Sequence, residues 1–168
     1  MSIPARASAR VILLATLCVR LATTVAAAEQ ISCRVVSIAD GDTLTCLTTT
    51  QGPIKVRVGE IDAPERSQPF GEQSKQSLSD SCLGQDAIVR VLDHDRYGRT
   101  VGRVNCAGVD ANLEQVRAGM AWVYRQYLRD QSLLAVEAEA RQARRGLWAD
   151  VNPAPPWDYR RRNMPPSQ

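Results

Sequence analysis

The pattern of apolar and polar positions changes character along the chain. Ile31 to Ile38 and Thr43 to Thr50 are both rich in β-formers, with Asp40-Gly41-Asp42 between them. Asp-Gly between two such runs is a strong hairpin signal. Gln51-Gly52-Pro53 turns the chain again, and Ile54 to Ile61 completes a predicted three-stranded meander that Pro64 ends. Residues 70–82 then read as a helix with a sparse apolar stripe at Phe70, Leu78 and Cys82, stopped by Gly84. Ala87 to Leu92 and Thr100 to Cys106 are two further short strands, joined by Asp93 to Arg99. Asp110 is placed to cap a short helix through Leu113 and Val116 that Gly119 terminates. A longer helix is predicted from about Asp130 to Arg145, with Leu133, Val136, Ala140 and Ala143 inward and Gly146 at its end. From Asn152 the tail is rich in Pro and Arg and is expected to wrap the surface or stay disordered.

Five short strands followed by helices predict an α+β domain, a small five-stranded barrel of the oligonucleotide/oligosaccharide-binding kind with about three helices. The chain has 168 residues, 44% hydrophobic and 23% charged, which suits one such domain and excludes a rod, a large multidomain enzyme or a mostly disordered chain. The expected organisation is a leader at residues 1–28, the domain at 29–150 and the tail at 151–168.

The first 28 residues have an export pattern: Arg6 and Arg10, the apolar run Val11 to Val19, then Ala26-Ala27-Ala28 before Glu29. Arg20 interrupts the apolar run, which is too short for a spanning helix of about 20 residues. A cleaved leader, implying a secreted or periplasmic protein, is the expectation; an uncleaved anchor and a buried N-terminal helix are the alternatives. The net charge of +3 resides in this segment: setting aside Arg6, Arg10 and Arg20, 18 basic residues balance 18 acidic ones. Bulk charge therefore names no partner. Arg outnumbers Lys 19 to 2, however, and Arg is the better bidentate partner for phosphate or carboxylate.

Beyond Cys18 in the leader, four cysteines remain: Cys33, Cys46, Cys82 and Cys106. An even count in an exported domain predicts two disulfides. Cys33 and Cys46 flank the Asp-Gly turn almost symmetrically, so a hairpin would bring them together; Cys33–Cys46 with Cys82–Cys106 is the favoured pairing. With no C-x-x-C and a single histidine, His94, these residues do not suit zinc.

Candidate chemistry lies in three segments. Asp40-Gly41-Asp42-Thr43 places a second acid directly after the turn. Val56-Arg57-Val58-Gly59-Glu60-Ile61-Asp62-Ala63-Pro64-Glu65 crowds three acids and an arginine at the end of an apolar strand. Strict alternation would put Arg57 and Asp62 on opposite faces, but a bulge at Gly59 could restore them to one. Asp95-Arg96-Tyr97-Gly98-Arg99 presents two arginines and a tyrosine on a turn. Each segment alone could be an ordinary decorated turn. Together they supply oxygen ligands for a hard cation, two arginines for a phosphate, and a carboxylate for water: the requirements of metal-assisted phosphodiester hydrolysis. Sugar hydrolysis by paired carboxylates needs neither the arginines nor the cation site.

These three segments, followed by Asn112-x-x-x-Val116-Arg117-x-Gly119-x-Ala121, strongly resemble the staphylococcal-nuclease (thermonuclease) family, in register from about Ile31 to Trp148. The resemblance implies Ca²⁺-dependent hydrolysis of DNA and RNA that leaves 3′-phosphates, with single-stranded substrate favoured. It implies that Asp42 and Asp62 ligate Ca²⁺ directly and that Ala63 adds its backbone carbonyl. Arg57 and Arg99 would brace the scissile phosphate, and Glu65 would orient or deprotonate the attacking water. Tyr97 and Tyr127 would contact the terminal phosphate of the bound nucleotide. Trp122 and Tyr124 are read as core residues. Four departures stand out: Ala63 replaces a common Thr, Arg125 stands where a stacking Tyr is expected, the 65–97 segment is short, and the cysteines are additional. Every charged residue of the implied site is present, so a monomeric nuclease with no stable protein partner is the leading expectation. The rival is a barrel that binds nucleic acid and has lost turnover.

Overall fold

The computed structural model describes residues 29–163; the leader read at residues 1–28 lies outside them, as do residues 164–168. Three antiparallel strands open the fold: β1 (Gln30–Asp40), β2 (Thr43–Thr48) and β3 (Gly52–Val58). The two-residue strand β4 (Ile61–Asp62) precedes helix α1 (Gly71–Cys82). Strand β5 (Asp86–His94) pairs with β1, and β6 (Thr100–Cys106) pairs with β5. β6 then returns to β3 in parallel, Arg57 opposite Val101 and Val58 opposite Gly102, which closes a five-stranded barrel. Val35, Leu44, Val56, Val58, Val89 and Val104 fill it. The fold is the expected α+β barrel of the oligonucleotide/oligosaccharide-binding kind.

The remaining elements cover the barrel. β7 (Val109–Asp110) folds back antiparallel on the end of β6 and leads into α2 (Ala111–Arg117), whose first turn is capped as anticipated: Leu113 N–H donates to Asp110 Oδ1 at 3.0 Å. β8 (Trp122–Val123) pairs with β4, and α3 (Ser132–Gln142) follows. α1 lays Ser74, Leu78 and Cys82 inward. Full burial of a leucine such as Leu78 contributes about 1.5–3 kcal/mol. Cys33 is bonded to Cys46 and Cys82 to Cys106, so one bridge spans the first hairpin and the other ties α1 to β6. Among the described residues no helix is long and apolar enough to cross a membrane.

Three expectations need correction. The third strand does not run to Ile61. It stops at Val58, and Glu60 takes a left-handed φ of 63° before β4 begins. The buried Glu60 carboxylate explains why a non-glycine residue holds that conformation. Its Oε1 accepts from the N–H groups of Arg129 and Asp130, both at 2.7 Å, and Arg103 lies 3.6 Å from Oε2. Second, the long helix is shorter than predicted. α3 ends at Gln142, Arg144 turns at a φ of 52°, and Ala143 is exposed rather than inward, with Val136 only half-buried. The turn brings residues 145–146 onto Gly119, where a Cβ would fall 2.2 Å from the Arg145 carbonyl oxygen. Third, the tail lies on the surface, one of the two expected outcomes, but part of it does so as a helix. Residues Pro156–Asn163 form a fourth helix, α4, with Pro156 buried. Pro at the first helical position, Asp158 in the first turn and Arg160, Arg161 and Arg162 in the last match the polarity of a helix dipole.

Candidate active site

The β1–β2 turn carries the first acids. Asp42 N–H donates to Asp40 Oδ1 at 3.1 Å, and the Asp42 carbonyl accepts from Val58 N–H at 2.8 Å, which fixes the turn against the end of β3. Gly41 has no room for a side chain, since a Cβ there would sit 1.8 Å from Ser74 Oγ on α1. Its carbonyl accepts from Gln115 Nε2 at 2.6 Å. The turn is therefore held between α1, α2 and β3.

The break at Gly59–Glu60 brings Arg57 and Asp62 to one side. One nitrogen of Arg57, Nη2, donates to Asp62 Oδ1 at 3.1 Å and to Asp42 Oδ2 at 3.4 Å. The phase shift anticipated at Gly59 thus occurs, through a departure from the strand rather than a bulge within it. Ala63 N–H donates to Asp42 Oδ2 at 3.0 Å, so residue 63 lies directly beside the first acid. Glu65 joins through a third arginine: Arg160 Nη1 donates to Glu65 Oε1 at 2.7 Å and to Asp62 Oδ1 at 3.1 Å, while its Nη2 donates to Asp62 Oδ2 at 2.7 Å. Arg99 lies at the margin. Its Nε donates to Asp95 Oδ2 at 2.7 Å, and its Nη1 is 3.5 Å from Thr43 Oγ1. Tyr97 and Tyr127 are both exposed; Tyr97 lies beside Arg99, and Tyr127 packs edge-on against Tyr124 at 4.9 Å.

The cluster is electrostatically unbalanced. Burial, then repulsion from Asp42, pushes the Asp40 carboxyl up to about 6. Burial likewise raises Asp62; Asp42 adds to this, and Arg160 and Arg57 only partly oppose it. Burial disfavours the Arg57 charge, but Asp42 and Asp62 outweigh that and hold the guanidinium above its ordinary pKa. The acids facing one another offer only oxygen donors and have too little positive charge among them. That composition fits a hard divalent cation, which takes carboxylate, carbonyl and water oxygens. Among the described residues no three His, Cys, Asp or Glu side chains already stand in metal-binding array, so water and backbone oxygens would complete any coordination shell.

Three participants were not named from the sequence. Tyr124, read as core, is half-buried with its ring 5.9 Å from the Arg57 guanidinium carbon, whereas Trp122 packs inside as expected. Its position two residues after Trp122, beyond the short β8, was the available signal. Asp40 was read only as part of a turn, although its pairing with Asp42 across one glycine already set two acids close together. Arg160 lies 95 residues from Glu65 and carried no local signal for this contact.

A family profile described as "Staphylococcal nuclease homologue" matches residues 55–150. The chain is 48% identical over 133 residues to a Haemophilus influenzae protein named "Uncharacterized endonuclease", covering 79% of this chain and 75% of that one. It is 42% identical over 130 residues to a protein of the same name from Escherichia coli O157:H7, covering 77% and 84%. It is also 41% identical over 138 residues to the Shigella flexneri protein named "Micrococcal nuclease", covering 76% and 79%. With its closed barrel, its acid-arginine cluster and these similarities over most of its length, the chain belongs to the staphylococcal nuclease family.

Proposed function

We propose that this protein is a Ca²⁺-dependent nuclease that hydrolyses DNA and RNA, favours single strands and leaves 3′-phosphate ends. The nuclease class follows from the family. The choice of calcium, of DNA and RNA, and of 3′-phosphate ends is what the family resemblance implies; the observation that supports carrying it over is that Arg57 shares one nitrogen between Asp42 and Asp62, with Glu65 one arginine away. Asp42, Asp62 and the Ala63 carbonyl would hold the cation, which when bound neutralises phosphate charge and polarises the P–O bonds.

The chain's own groups divide the remaining work. Arg57 and Arg99 brace the non-bridging oxygens as negative charge builds on them. Glu65 orients water for in-line attack and accepts its proton as the new P–O bond forms. The bond to the 5′ oxygen breaks, that oxygen takes a proton from solvent, and the phosphate stays on the 3′ side. Tyr97 and Tyr127 are exposed on the margin, where they can meet the terminal phosphate or stack on an unpaired base. The leader pattern and the two disulfides support an exported protein.

The test incubates the chain from Glu29 with single-stranded DNA and with RNA, in Ca²⁺ or EGTA. Digestion should require Ca²⁺, fail in Glu65→Gln, and fall about 10²–10³-fold in Arg57→Ala or Arg99→Ala. Binding without cleavage in any divalent metal would favour an inactive nucleic-acid-binding barrel instead.

A further inference from the structure

The acid cluster contains one cation that the proposed chemistry does not use. Arg160 reaches it from α4, contacting both carboxylate oxygens of Asp62 and one of Glu65. Arg57 meets Asp62 through one nitrogen on one oxygen, whereas Arg160 grips both Asp62 oxygens and is the arginine that also holds Glu65. Charge-assisted, two-pronged contacts of this kind fix geometry as well as supplying energy.

The rest of α4 is fastened to the same loop and the same aromatic face. Trp157 stacks on Tyr124 with centroids 5.5 Å apart and planes at 10°, and meets Trp122 edge-on at 5.7 Å. Tyr159 Oη donates to the Ser67 carbonyl at 3.1 Å, two residues beyond Glu65. The buried Gln68 side chain donates to the Ala154 carbonyl at 2.6 Å, and Gln68 Oε1 accepts from Glu65 N–H at 3.2 Å. The helix thus covers the ring beside Arg57 while its arginine holds the two acids.

The geometry points to α4 as an intramolecular clamp: Arg160 occupies the Asp62 and Glu65 oxygens that a divalent cation and its water need, so both bind only when α4 lifts away. This rests on the calcium reading above. A cation placed on an Asp62 oxygen would lie beside the guanidinium that grips both, and the two positive charges would repel each other and compete for one carboxylate. Apparent affinity then falls in proportion to the fraction of open molecules.

Calorimetric titration of Ca²⁺ into the chain from Glu29 tests the clamp, with trypsin cleavage after Arg161 and Arg162 as a second readout. Arg160→Ala should bind Ca²⁺ at least about 10-fold more tightly, because the closed state no longer taxes binding. Trp157→Ala with Tyr159→Phe, which keeps Arg160 but loosens the helix, should move the same way. Arg161→Ala, an equal loss of charge outside the cluster, should stay within about twofold of the parent. In the parent, Ca²⁺ should speed cleavage of the tail. Equal or weaker Ca²⁺ binding by Arg160→Ala would overturn the clamp, and a rise in KM for DNA beside it would make Arg160 a third phosphate arginine. If neither parent nor variant binds Ca²⁺, the calcium reading itself fails and the clamp with it.

Discussion

Gln115 offers a direct test of how the fold aims the site. It is 1% exposed and touches no proposed catalytic group. Its Nε2 donates to Gly41 O at 2.6 Å and to Ser74 O at 3.1 Å, while its Oε1 accepts from Ser77 Oγ at 2.6 Å. Gln115→Leu keeps similar bulk and removes all three, together with a longer contact from Nε2 to Ser74 Oγ at 3.4 Å. Ser74 Oγ retains its bond to the Met120 carbonyl, and half-buried Ser77 can turn to water. Ser74 O lies within a helix that can still satisfy it. The buried Gly41 carbonyl is left as the one clear orphan, at a cost of about 1–3 kcal/mol. That fits within the roughly 5–15 kcal/mol of a typical domain, so the variant should fold.

The functional cost should exceed the structural one. Gly41 joins Asp40 to Asp42 and sits so close to Ser74 that the turn has little freedom while Gln115 holds it. Once released, the turn can shift, and a displacement near 1 Å in a catalytic constellation costs about 10²-fold in rate. Urea denaturation would measure the first quantity, and turnover at saturating Ca²⁺, on protein confirmed as folded, the second. Loss of stability with turnover kept within a few-fold would refute a positioning role and leave Gln115 as an ordinary core hydrogen bond.

Two further outcomes concern stability. Loop-closure entropy gives each disulfide about 3 kcal/mol, for sequence separations of 13 and 24. The loops do not overlap, so full reduction should cost about 6 kcal/mol; an unchanged urea midpoint with four titratable thiols would refute this. Hydrogen bonds from Ser132, then the Arg103 guanidinium, lower the Asp130 carboxyl to about 2. A depressed acid stabilises the fold above its unfolded pKa, near 4, and loses that contribution as pH falls towards 2. Asp130→Asn should therefore flatten the stability curve between about pH 4 and 2, and an unaltered slope would exclude this group.

Much of the fold was legible because its signals are local. The Asp40-Gly41-Asp42 turn, the Asp110 cap and the symmetric placing of Cys33 and Cys46 each act within a short span. What escaped depends on contacts distant in sequence. Glu60 adopts a left-handed backbone because the N–H groups of Arg129 and Asp130 satisfy its buried carboxylate, and nothing within Val58–Asp62 encodes that. Ala143 fits the apolar period of α3, yet the helix ends first so that residues 145–146 can pack on Gly119. The helical polarity of Pro156 to Arg162 was present in the sequence but obscured by a composition typical of irregular tails. Arg57, Asp62 and Glu65 were legible as a group; the arginine that contacts two of them, Arg160, was not.

Buried acids serve two ends in this molecule, and their donors tell them apart. Glu137, 2% exposed, accepts from Val123 N–H at 2.8 Å and from Arg125 at 3.1 Å, and Arg141 lies 3.3 Å away. It joins α3 to β8. Asp62, 1% exposed, receives hydrogen bonds among the described residues only from the side chains of Arg57 and Arg160, groups that can be exchanged for a ligand. Burial and Asp42 also raise its pKa, so ionising it costs more here than in water. Glu137→Gln should therefore cost about 1.5–3 kcal/mol, the value of charge-assisted hydrogen bonds, with turnover per folded molecule largely kept. Asp62→Asn should leave stability within about 1 kcal/mol, because relief of the crowded charge offsets the weaker arginine contacts, yet abolish turnover; sites that bind or react are commonly unfavourable to stability. Urea midpoints and cleavage rates of the two variants separate these cases. If Asp62→Asn were as destabilised as Glu137→Gln, Asp62 would be a structural ion-pair acid, and the division between donors fixed in the backbone and donors that can leave would not hold.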